Sequence, residues 1–467
     1  MGQQSFFKQR RPQPILPLPK CRYTFAAHLP GAPAHPDPPR THAVHIDKLS
    51  IQELQEQLTT LQAQYHKLGE SGLALDLTRG KPCAEQVALA DELDGILQGN
   101  YLAADGTDTR NYGGLDGLPE ARALFGEVLG LPAEETMVGG NSSLTMMYQV
   151  VEFALTEGLR GPESAWGNSD AVKFICPVPG YDRHFAICEH LGIEMLNVPM
   201  LDSGPDMDAV EALLKEDSSI KGIWCVPRFS NPTGCVYSDQ TVERIARLPD
   251  LAGEDFLVMW DNAYAVHTLR EQAAALASIS EYCRAHNTMD NVFQFGSTSK
   301  ISFAGAGVAF LGSSRKNLAA LGKHLGNQSI GPDKVNQLRH VRFLKDSDHL
   351  AAHMAKHAAL IRPRFDSVLD TLDRELSGTG MGSWTRPLGG YFISFDTLPG
   401  LAGEVVKLAG AIGVKLTPAG ATFPYGKDPN DSNIRLAPTF ATEQAVKDAV
   451  AAFVVCVRLA TVQQRLR

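Results

Sequence analysis

The chain has 467 residues, of which 44% are hydrophobic and 20% are charged, and its formal net charge is −9 at pH 7. This length predicts about two domains with large buried cores. The acidic balance argues against a nucleic-acid-binding protein, which would carry a basic face. The sequence contains no apolar run that approaches the roughly 20 residues needed to cross a bilayer, so we expect no membrane partner.

The eight cysteines are scattered and form no Cys-x-x-Cys pair. This spacing argues against a zinc or redox motif, and we predict no metal site. Cys176 and Cys225 lie in apolar runs, which indicates reduced core thiols and a cytoplasmic protein. Residues 1–44 are rich in Pro, Arg, Gln and His and lack the continuous apolar stretch of a signal peptide, so we predict a disordered extension there.

Residues 45–310 show two successive patterns. From Ile51 to Tyr65, apolar residues recur at three- and four-residue steps, which predicts an amphipathic helix that Ser50 caps. Farther along, short apolar runs alternate with helical stretches. This alternation predicts a mostly parallel sheet covered by helices on both faces. The predicted strands are 172–176, 222–226, 256–260 and 291–295.

The C-terminal part predicts mixed α and β structure. The expected elements are a long helix over 350–376, a strand over 390–395, a helix near 404–410, a strand over 433–436 and a final helix from residue 442. We therefore predict a larger α/β domain over residues 91–350. Residues 351–467 are predicted to form a smaller α+β domain, to which residues 45–90 contribute the N-terminal part.

Polar side chains follow each of the four predicted strands. They are Tyr181 after the first strand, Asn231 after the second, Asp261 and Tyr264 after the third, and Lys300 after the fourth. In open α/β sheets, ligands bind beyond the carboxyl ends of the strands. We therefore expect these five side chains to meet at one edge of the sheet.

This set of side chains suits a pyridine-aldehyde cofactor. A lysine amine forms a Schiff base with the aldehyde, and a carboxylate pairs with the protonated ring nitrogen. An amide and a phenol bind the ring oxygen, and an aromatic face stacks on the ring. The Gly-rich turn over residues 138–144 opens into a predicted helix, whose N-terminus would bind a phosphate. Each motif is weak by itself, because Asn-Pro-Thr-Gly can be a plain β-turn and a lone lysine is usually solvated.

In these motifs and their order, residues 77–440 resemble the fold-type I pyridoxal 5′-phosphate (PLP) enzymes, and among them the class I aminotransferases of the aspartate aminotransferase kind. The loop Leu77-Thr78-Arg79-Gly80-Lys81-Pro82 and the run from Ser297 to Gly307 resemble a bacterial subgroup of aspartate aminotransferases. The resemblance implies PLP as cofactor, a homodimer, a mostly parallel, seven-stranded type of sheet in the larger α/β domain, and a smaller α+β domain.

The resemblance also implies roles for individual cofactor-binding residues. Lys300 is similar to the lysine that carries the cofactor and later shuttles the proton, and Asp261 to the partner of the ring nitrogen. Tyr264 and Asn231 resemble the ligands of the ring oxygen, and Tyr181 resembles the stacking aromatic residue. The remaining implied cofactor residues are His184 behind the aspartate, the phosphate cradle of Gly140, Asn141, Ser142 and Ser297, and Tyr112, which would reach the phosphate of a neighbouring subunit.

For the substrate, Arg435 resembles the arginine that clamps the α-carboxylate, with Gly80 and Asn231 beside it. A planar guanidinium suits a carboxylate because it can donate two parallel hydrogen bonds. Lys334 and Arg339 could meet a distal carboxylate, but a solvated face or a dimer contact is an equally good interpretation.

The sequence departs from the family at one point. The family usually has an arginine about eight residues after the lysine, whereas this chain reads Gly305-Ala306-Gly307-Val308. Either more backbone and hydroxyl donors hold the phosphate, or another basic residue replaces the arginine.

The expected function is transfer of an amino group from an amino acid, with aspartate favoured, to a 2-oxo acid, with 2-oxoglutarate favoured. The alternatives are another PLP reaction on the same fold, such as that of a C–S lyase or β-lyase, and an aminotransferase of aromatic or other amino acids. A regulator with an aminotransferase-like domain would need a basic winged-helix segment, for which residues 1–44 are too short and too rich in proline.

Overall fold

The computed structural model of the protein describes residues 44–467. The disordered extension predicted over residues 1–44 therefore lies outside the described residues, apart from Val44. The described strands are β1 (Leu75–Asp76), β2 (Thr136–Val138), β3 (Lys173–Val178), β4 (Glu194–Leu201), β5 (Gly204–Pro205), β6 (Ile220–Cys225), β7 (Leu257–Asp261), β8 (Val292–Ser297), β9 (Ala309–Gly312), β10 (Gly382–Trp384), β11 (Ile393–Thr397), β12 (Val414–Lys415) and β13 (Asn433–Leu436).

The described α-helices are α1 (Ile51–Glu70), α2 (Ala84–Ala88), α3 (Pro119–Leu129), α4 (Ser143–Thr156), α5 (Asp182–His190), α6 (Met207–Glu216), α7 (Asp239–Ala246), α8 (Pro249–Ala252), α9 (Ile279–His286), α10 (Arg315–Leu325), α11 (Lys334–Leu344), α12 (Ser347–Leu376), α13 (Ala402–Ala411) and α14 (Glu443–Arg465). Helix α1 begins where the sequence predicts. The Ser50 hydroxyl accepts from the Glu53 backbone N–H, and the Glu53 carboxylate accepts from the Ser50 N–H, which completes a capping box.

The main sheet has eight strands in the order β2-β9-β8-β7-β6-β3-β4-β5. Its five adjacent strands β8, β7, β6, β3 and β4 are parallel. Strands β2 and β9 and the two-residue β5 pair antiparallel with their neighbours. The prediction of an α/β fold with a mostly parallel sheet is confirmed, and the four predicted strands are β3, β6, β7 and β8 within one or two residues at each end.

Strands β3, β6, β7 and β8 are buried on both faces of this sheet, as the apolar runs of the sequence indicate. Alternate residues of a strand point to opposite faces. In β3, Phe174 and Cys176 belong to the same apolar core as Met147 of α4, whereas Ile175 belongs to the core on the other face, with Val210 of α6. Because helices cover both faces, the strands need apolar residues at every position, and the carboxyl ends of the strands are left as the accessible edge.

A second group of elements surrounds a separate core. Strands β10, β11 and β13 form an antiparallel sheet, and the parallel pair β1–β12 joins the N-terminal and C-terminal segments. Leu54 and Leu61 of α1 share this core with Val450 and Val457 of α14. The shared core supports our proposal that residues 45–90 and 351–467 form the smaller domain. Among residues 44–467, no helix is both long enough and apolar enough to span a membrane.

Candidate active site

The carboxyl ends of four parallel strands open into a cavity of about 200 Å³. Tyr181, Asn231, Asp261, Tyr264 and Lys300, which the sequence predicts at this edge, all line it. The other lining residues are Ser142, Ser143, Leu144, Met147, Val226, Ala263, Ser297 and Ser299. The structure therefore brings the five predicted side chains together around one cavity.

The ends of the strands fix these positions. Asp261 is the last residue of β7, and Lys300 follows the end of β8 by three residues. Asn231 lies in the loop after β6, where the Gly234 N–H donates to the Ser230 carbonyl at 2.7 Å. Each functional side chain is thus within a few residues of a buried strand, which holds it more firmly than a free loop would.

Asp261 is the one acidic residue among those that line the cavity. The residue is 2% exposed, and its Oδ2 lies 3.0 Å from Nε2 of His184. The His184 ring in turn stacks on Trp224, with ring centroids 4.3 Å apart. The other oxygen, Oδ1, is buried without a hydrogen-bond partner among the described residues. A buried, unpaired carboxylate oxygen is costly, so this atom is suited to a donor that a ligand brings.

Lys300 faces the same cavity. Its Nζ lies 5.0 Å from the centroid of the Tyr264 ring and 5.9 Å from that of Tyr391. Desolvation lowers the pKa of the Lys300 ammonium, and the charge of Asp261 partly offsets this effect. A lowered pKa increases the population of the neutral amine, which is the nucleophilic form.

The two phenols of the cavity stay protonated. Burial raises the pKa of Tyr264 well above its ordinary value, and the neighbouring Tyr181 and Asp261 raise it further. Burial likewise raises the pKa of Tyr181, with Asp261 as the next largest cause. Both hydroxyls are therefore hydrogen-bond donors at neutral pH.

Serine hydroxyls cluster at the N-terminus of α4. Ser142 caps this helix, and Ser143, Ser297 and Ser299 line the cavity with it. The Ser297 hydroxyl donates to that of Ser299 at 3.1 Å. Hydroxyls and a helix N-terminus together form an anion site, because both present donors and the helix dipole is positive there.

This hydroxyl cluster differs in part from the predicted phosphate cradle. Gly140 and Asn141 do not line the cavity, and the Asn141 side chain instead donates to the Gly305 carbonyl at 3.1 Å. Ser143 and Ser299 were not predicted. Their signal was a hydroxyl in the same motif as a predicted serine, since Ser143 directly follows Ser142 and Ser299 lies two residues after Ser297.

Lys300 is the one cationic side chain among the residues that line the cavity. Val308, at the position where the family usually has an arginine, is 1% exposed and donates its N–H to the Thr298 hydroxyl at 2.8 Å. Within residues 44–467, no group of three or more His, Cys, Asp or Glu side chains is placed to hold a metal ion.

Arg435 lies beside the cavity as a buried guanidinium. Its Nη1 donates to Asp182 Oδ1 at 2.8 Å and lies 3.3 Å from the side-chain oxygen of Asn231. Its Cζ lies 4.9 Å from the centroid of the Phe392 ring. Nε of Arg435 is buried without a hydrogen-bond partner among the described residues. The sequence predicts Arg435 here but gives no signal for Asp182.

Gly80 packs against the same aromatic ring. A Cβ atom at position 80 would overlap the Phe392 ring, so a side chain there would displace the ring. Since Phe392 also supports the Arg435 guanidinium, Gly80 is linked to that guanidinium through the ring.

Tyr112 does not line the cavity. It is 83% exposed, in a turn that Lys334 supports by donating to the carbonyl of Asn111 at 2.8 Å and to that of Gly113. Nε of Arg339 donates to the Leu93 carbonyl at 3.0 Å. Both cations that could have met a distal carboxylate are therefore engaged with backbone carbonyls.

Comparison with known proteins agrees with this geometry. The sequence profile of the aspartate amino-transferase family matches residues 49–467. A protein of Mycolicibacterium smegmatis with a provisional aminotransferase designation is 48% identical over 423 residues, which are 90% of this chain and 97% of that one. The aspartate aminotransferase of Corynebacterium glutamicum is 44% identical over 404 residues, which are 86% of this chain and 93% of that one.

Solved structures show the same architecture. The crystal structure of an aspartate transaminase from Corynebacterium glutamicum superposes with a TM-score of 0.87 at 42% identity, and the match covers 90% of this chain and 99% of that one. An α-aminoadipate aminotransferase from Thermus thermophilus shares the fold, with a TM-score of 0.67 at 23% identity over 90% of this chain and 99% of that one. The chain therefore belongs to the aspartate aminotransferase family and is an aminotransferase.

Proposed function

We propose that the enzyme moves the amino group of aspartate to 2-oxoglutarate and uses PLP held in the cavity. The observation that carries the proposal is the unpartnered Oδ1 of Asp261, which is buried in the wall of the cavity that Lys300 also lines. The relative in Corynebacterium glutamicum is named an aspartate aminotransferase, and the Thermus thermophilus structure was solved with N-(5′-phosphopyridoxyl)-L-leucine.

The residues present fit this cofactor. A protonated pyridine nitrogen would satisfy Oδ1 of Asp261, and His184 holds that carboxylate in place through Oδ2. The ring of Tyr181 is available for stacking, and Asn231 and Tyr264 offer an amide and a phenol for the ring oxygen. The helix N-terminus and the serine hydroxyls described above would receive the phosphate. Hydroxyl and backbone donors would then take the place of the missing arginine.

When bound, PLP supplies an aldehyde that joins amines and a protonated ring that accepts the electron pair released at the substrate α-carbon. Asp261 would keep the ring nitrogen protonated, because its buried negative charge favours the positive ring. Lys300 would hold the aldehyde of the bound cofactor. In its neutral form the Lys300 amine would remove the proton from the substrate α-carbon as general base, and its ammonium form would return a proton as general acid. Its lowered pKa favours the neutral form that this task needs.

Arg435 would bind the substrate α-carboxylate. Its guanidinium is buried, rests on Phe392 and retains an unpartnered Nε. Carboxylates bind such a fork through two parallel charge-assisted hydrogen bonds, which fix both the distance and the plane of the substrate. Asn231 contacts Arg435 directly, whereas Gly80 packs against the Phe392 ring, and both would complete the substrate contacts.

We further propose a cytoplasmic homodimer. Tyr112 is 83% exposed although its turn is firmly held by the buried Lys334, which suits a residue that completes the site of a second copy. The seven cysteines within residues 44–467 are all free thiols, which suits a reducing compartment.

The test is a half-reaction assay with a panel of amino acids, followed through the absorbance of the bound cofactor. We expect aspartate and glutamate to give the largest specificity constants. Mixing aspartate with 2-oxoglutarate should then yield oxaloacetate and glutamate. Release of ammonia from an amino acid without any 2-oxo acid acceptor would instead favour a lyase. A preference for aromatic amino acids would reject aspartate as the donor.

A further inference from the structure

Arg435 has a carboxylate partner from its own chain. Asp182 Oδ1 lies 2.8 Å from its Nη1, and these residues are 253 positions apart in the sequence. Nη1 also contacts the Asn231 oxygen at 3.3 Å. One end of the guanidinium is therefore occupied, whereas Nε on its side edge is buried without a partner among the described residues.

The two partners differ in their freedom to move. The Arg435 side chain is 9% exposed and is packed on Phe392, whereas the Asp182 side chain is 36% exposed at the first position of α5. The arginine is consequently fixed, and the aspartate can turn toward water without uncovering a core. A partly exposed ion pair of this kind holds together only weakly.

A substrate carboxylate at Arg435 would bring a second negative charge close to Asp182. The two carboxylates would repel each other across the guanidinium, because the site is only partly screened by solvent. Asp182 thus has opposite effects on substrate binding: its hydrogen bond orients the guanidinium, and its charge lowers the affinity for any anion there.

We propose that Asp182 is a resident counter-ion of Arg435 that competes with the substrate carboxylate and so keeps substrate and product affinities moderate. The inference rests on the proposed function, since it takes Arg435 as the carboxylate-binding residue. Amino donor and 2-oxo acceptor both carry a carboxylate next to the reacting carbon. The charge of Asp182 therefore weakens the binding of donor, acceptor and both products alike.

The experiment measures binding of succinate, a dicarboxylate without an amino or oxo group, to the PLP-loaded enzyme by calorimetry. Asp182→Asn removes the charge and keeps an oxygen that can accept from Nη1. Asp182→Ala removes both, and Asp182→Glu keeps the charge. The matched control is Asp250→Asn, which removes the same charge from the exposed ion pair with Arg247.

We expect Asp182→Asn and Asp182→Ala to lower the Kd of succinate by about tenfold, the size of effect that one nearby charge exerts at a partly exposed site. The KM values for amino acid and 2-oxo acid should fall in parallel. Asp182→Glu and Asp250→Asn should stay within about twofold of the wild type. The two variants also test whether the hydrogen bond to Nη1 orients the guanidinium. Because Asp182→Asn keeps an accepting oxygen, it should have a higher kcat than Asp182→Ala.

The result that overturns the inference is a Kd for succinate in both Asp182→Asn and Asp182→Ala that equals or exceeds the wild-type value. The two uncharged variants differ in shape, so a folding defect in one leaves the other as the test. Failure of the proposed function is distinguishable, because it would show as a wild-type enzyme that transfers no amino group from aspartate to 2-oxoglutarate.

Discussion

His184 holds one oxygen of the buried Asp261 carboxylate at 3.0 Å and leaves the other oxygen without a partner among the described residues. The histidine is itself fixed by stacking on Trp224. This arrangement fixes the position of the free oxygen, which can accept a hydrogen bond from a donor. Preorganised charge is effective in catalysis because it requires no rearrangement at the moment of reaction.

Asp261→Asn should lower kcat/KM at least about 100-fold, because an amide cannot keep the ring nitrogen protonated. His184→Phe should have a smaller effect of roughly 10- to 100-fold, since it removes one hydrogen bond to a charged group but leaves the charge in place. Steady-state kinetics and the Kd of PLP check both variants. An Asp261→Asn enzyme within tenfold of the wild type would contradict the assignment of Asp261.

Gly80→Ala should weaken substrate binding without loss of the cofactor. The added Cβ overlaps the Phe392 ring, and displacement of this ring withdraws support from the Arg435 guanidinium. We expect KM to rise about tenfold for both substrates, with the cofactor absorbance unchanged. Gly410→Ala is the matched control, because a Cβ there meets no atom within 4 Å. Equal kinetics for the two variants would rule out this link.

Tyr112 and Lys300 allow a test of the proposed dimer. Lys300→Ala by itself should abolish both turnover and the visible absorbance of the bound cofactor. Tyr112→Ala should weaken cofactor binding only. If Tyr112 completes the partner's site, a hybrid of one Tyr112→Ala subunit and one Lys300→Ala subunit contains one intact site. This hybrid dimer can be purified through a different affinity tag on each subunit. It should show about half of the wild-type activity per dimer.

The control hybrid for this experiment carries both substitutions in one subunit and none in the other. Its only site with Lys300 then lacks the partner's Tyr112, so we expect about half of the activity of the Tyr112→Ala enzyme per dimer. If Tyr112 served its own subunit, the two hybrids would exchange their activities. That outcome would contradict the proposed role of Tyr112.

The sequence predicts the centre of the site better than its margins. Asp261, Asn231 and Lys300 follow buried parallel strands, and the common direction of such strands places their ends together. Strands β2, β4 and β9 are not among the predicted strands. Strands β2 and β9 are short antiparallel additions, and in β4 the exposed Asn197 between the buried Met195 and Val198 breaks the continuous apolar pattern.

The sequence does not predict the contacts of Arg435 either. Its partner Asp182 is 253 residues distant, and Phe392, which separates Gly80 from Arg435, belongs to a third segment of the chain. No local pattern signals such contacts, because they depend on how strands and loops from separate segments pack together. The resemblance to a known family predicts Arg435 and Gly80 as substrate-binding residues. Only the structure shows that Phe392 lies between them and that Asp182 pairs with Arg435.

The last prediction concerns acid stability. His340 is fully buried, with Nδ1 donating to the Asn336 carbonyl at 2.8 Å and Nε2 lying 2.8 Å from the Ser302 hydroxyl. Burial lowers its pKa to about 4 from the ordinary 6.5. In the unfolded chain the ring binds a proton below about pH 6.5, whereas the folded ring stays neutral until about pH 4. The free energy of unfolding must therefore fall as the pH falls through this window.

We expect His340 to account for about 3 kcal/mol of the wild-type loss of stability between about pH 7 and about pH 4. His340→Gln keeps hydrogen-bonding groups but does not titrate. Its loss of unfolding free energy between about pH 7 and about pH 4 should therefore be smaller than that of the wild type by about 3 kcal/mol. Urea unfolding at a series of pH values measures both slopes. Only the slopes are compared, since the substitution also changes packing. Identical slopes for His340→Gln and wild type would show that the folded histidine titrates as it does in the unfolded chain.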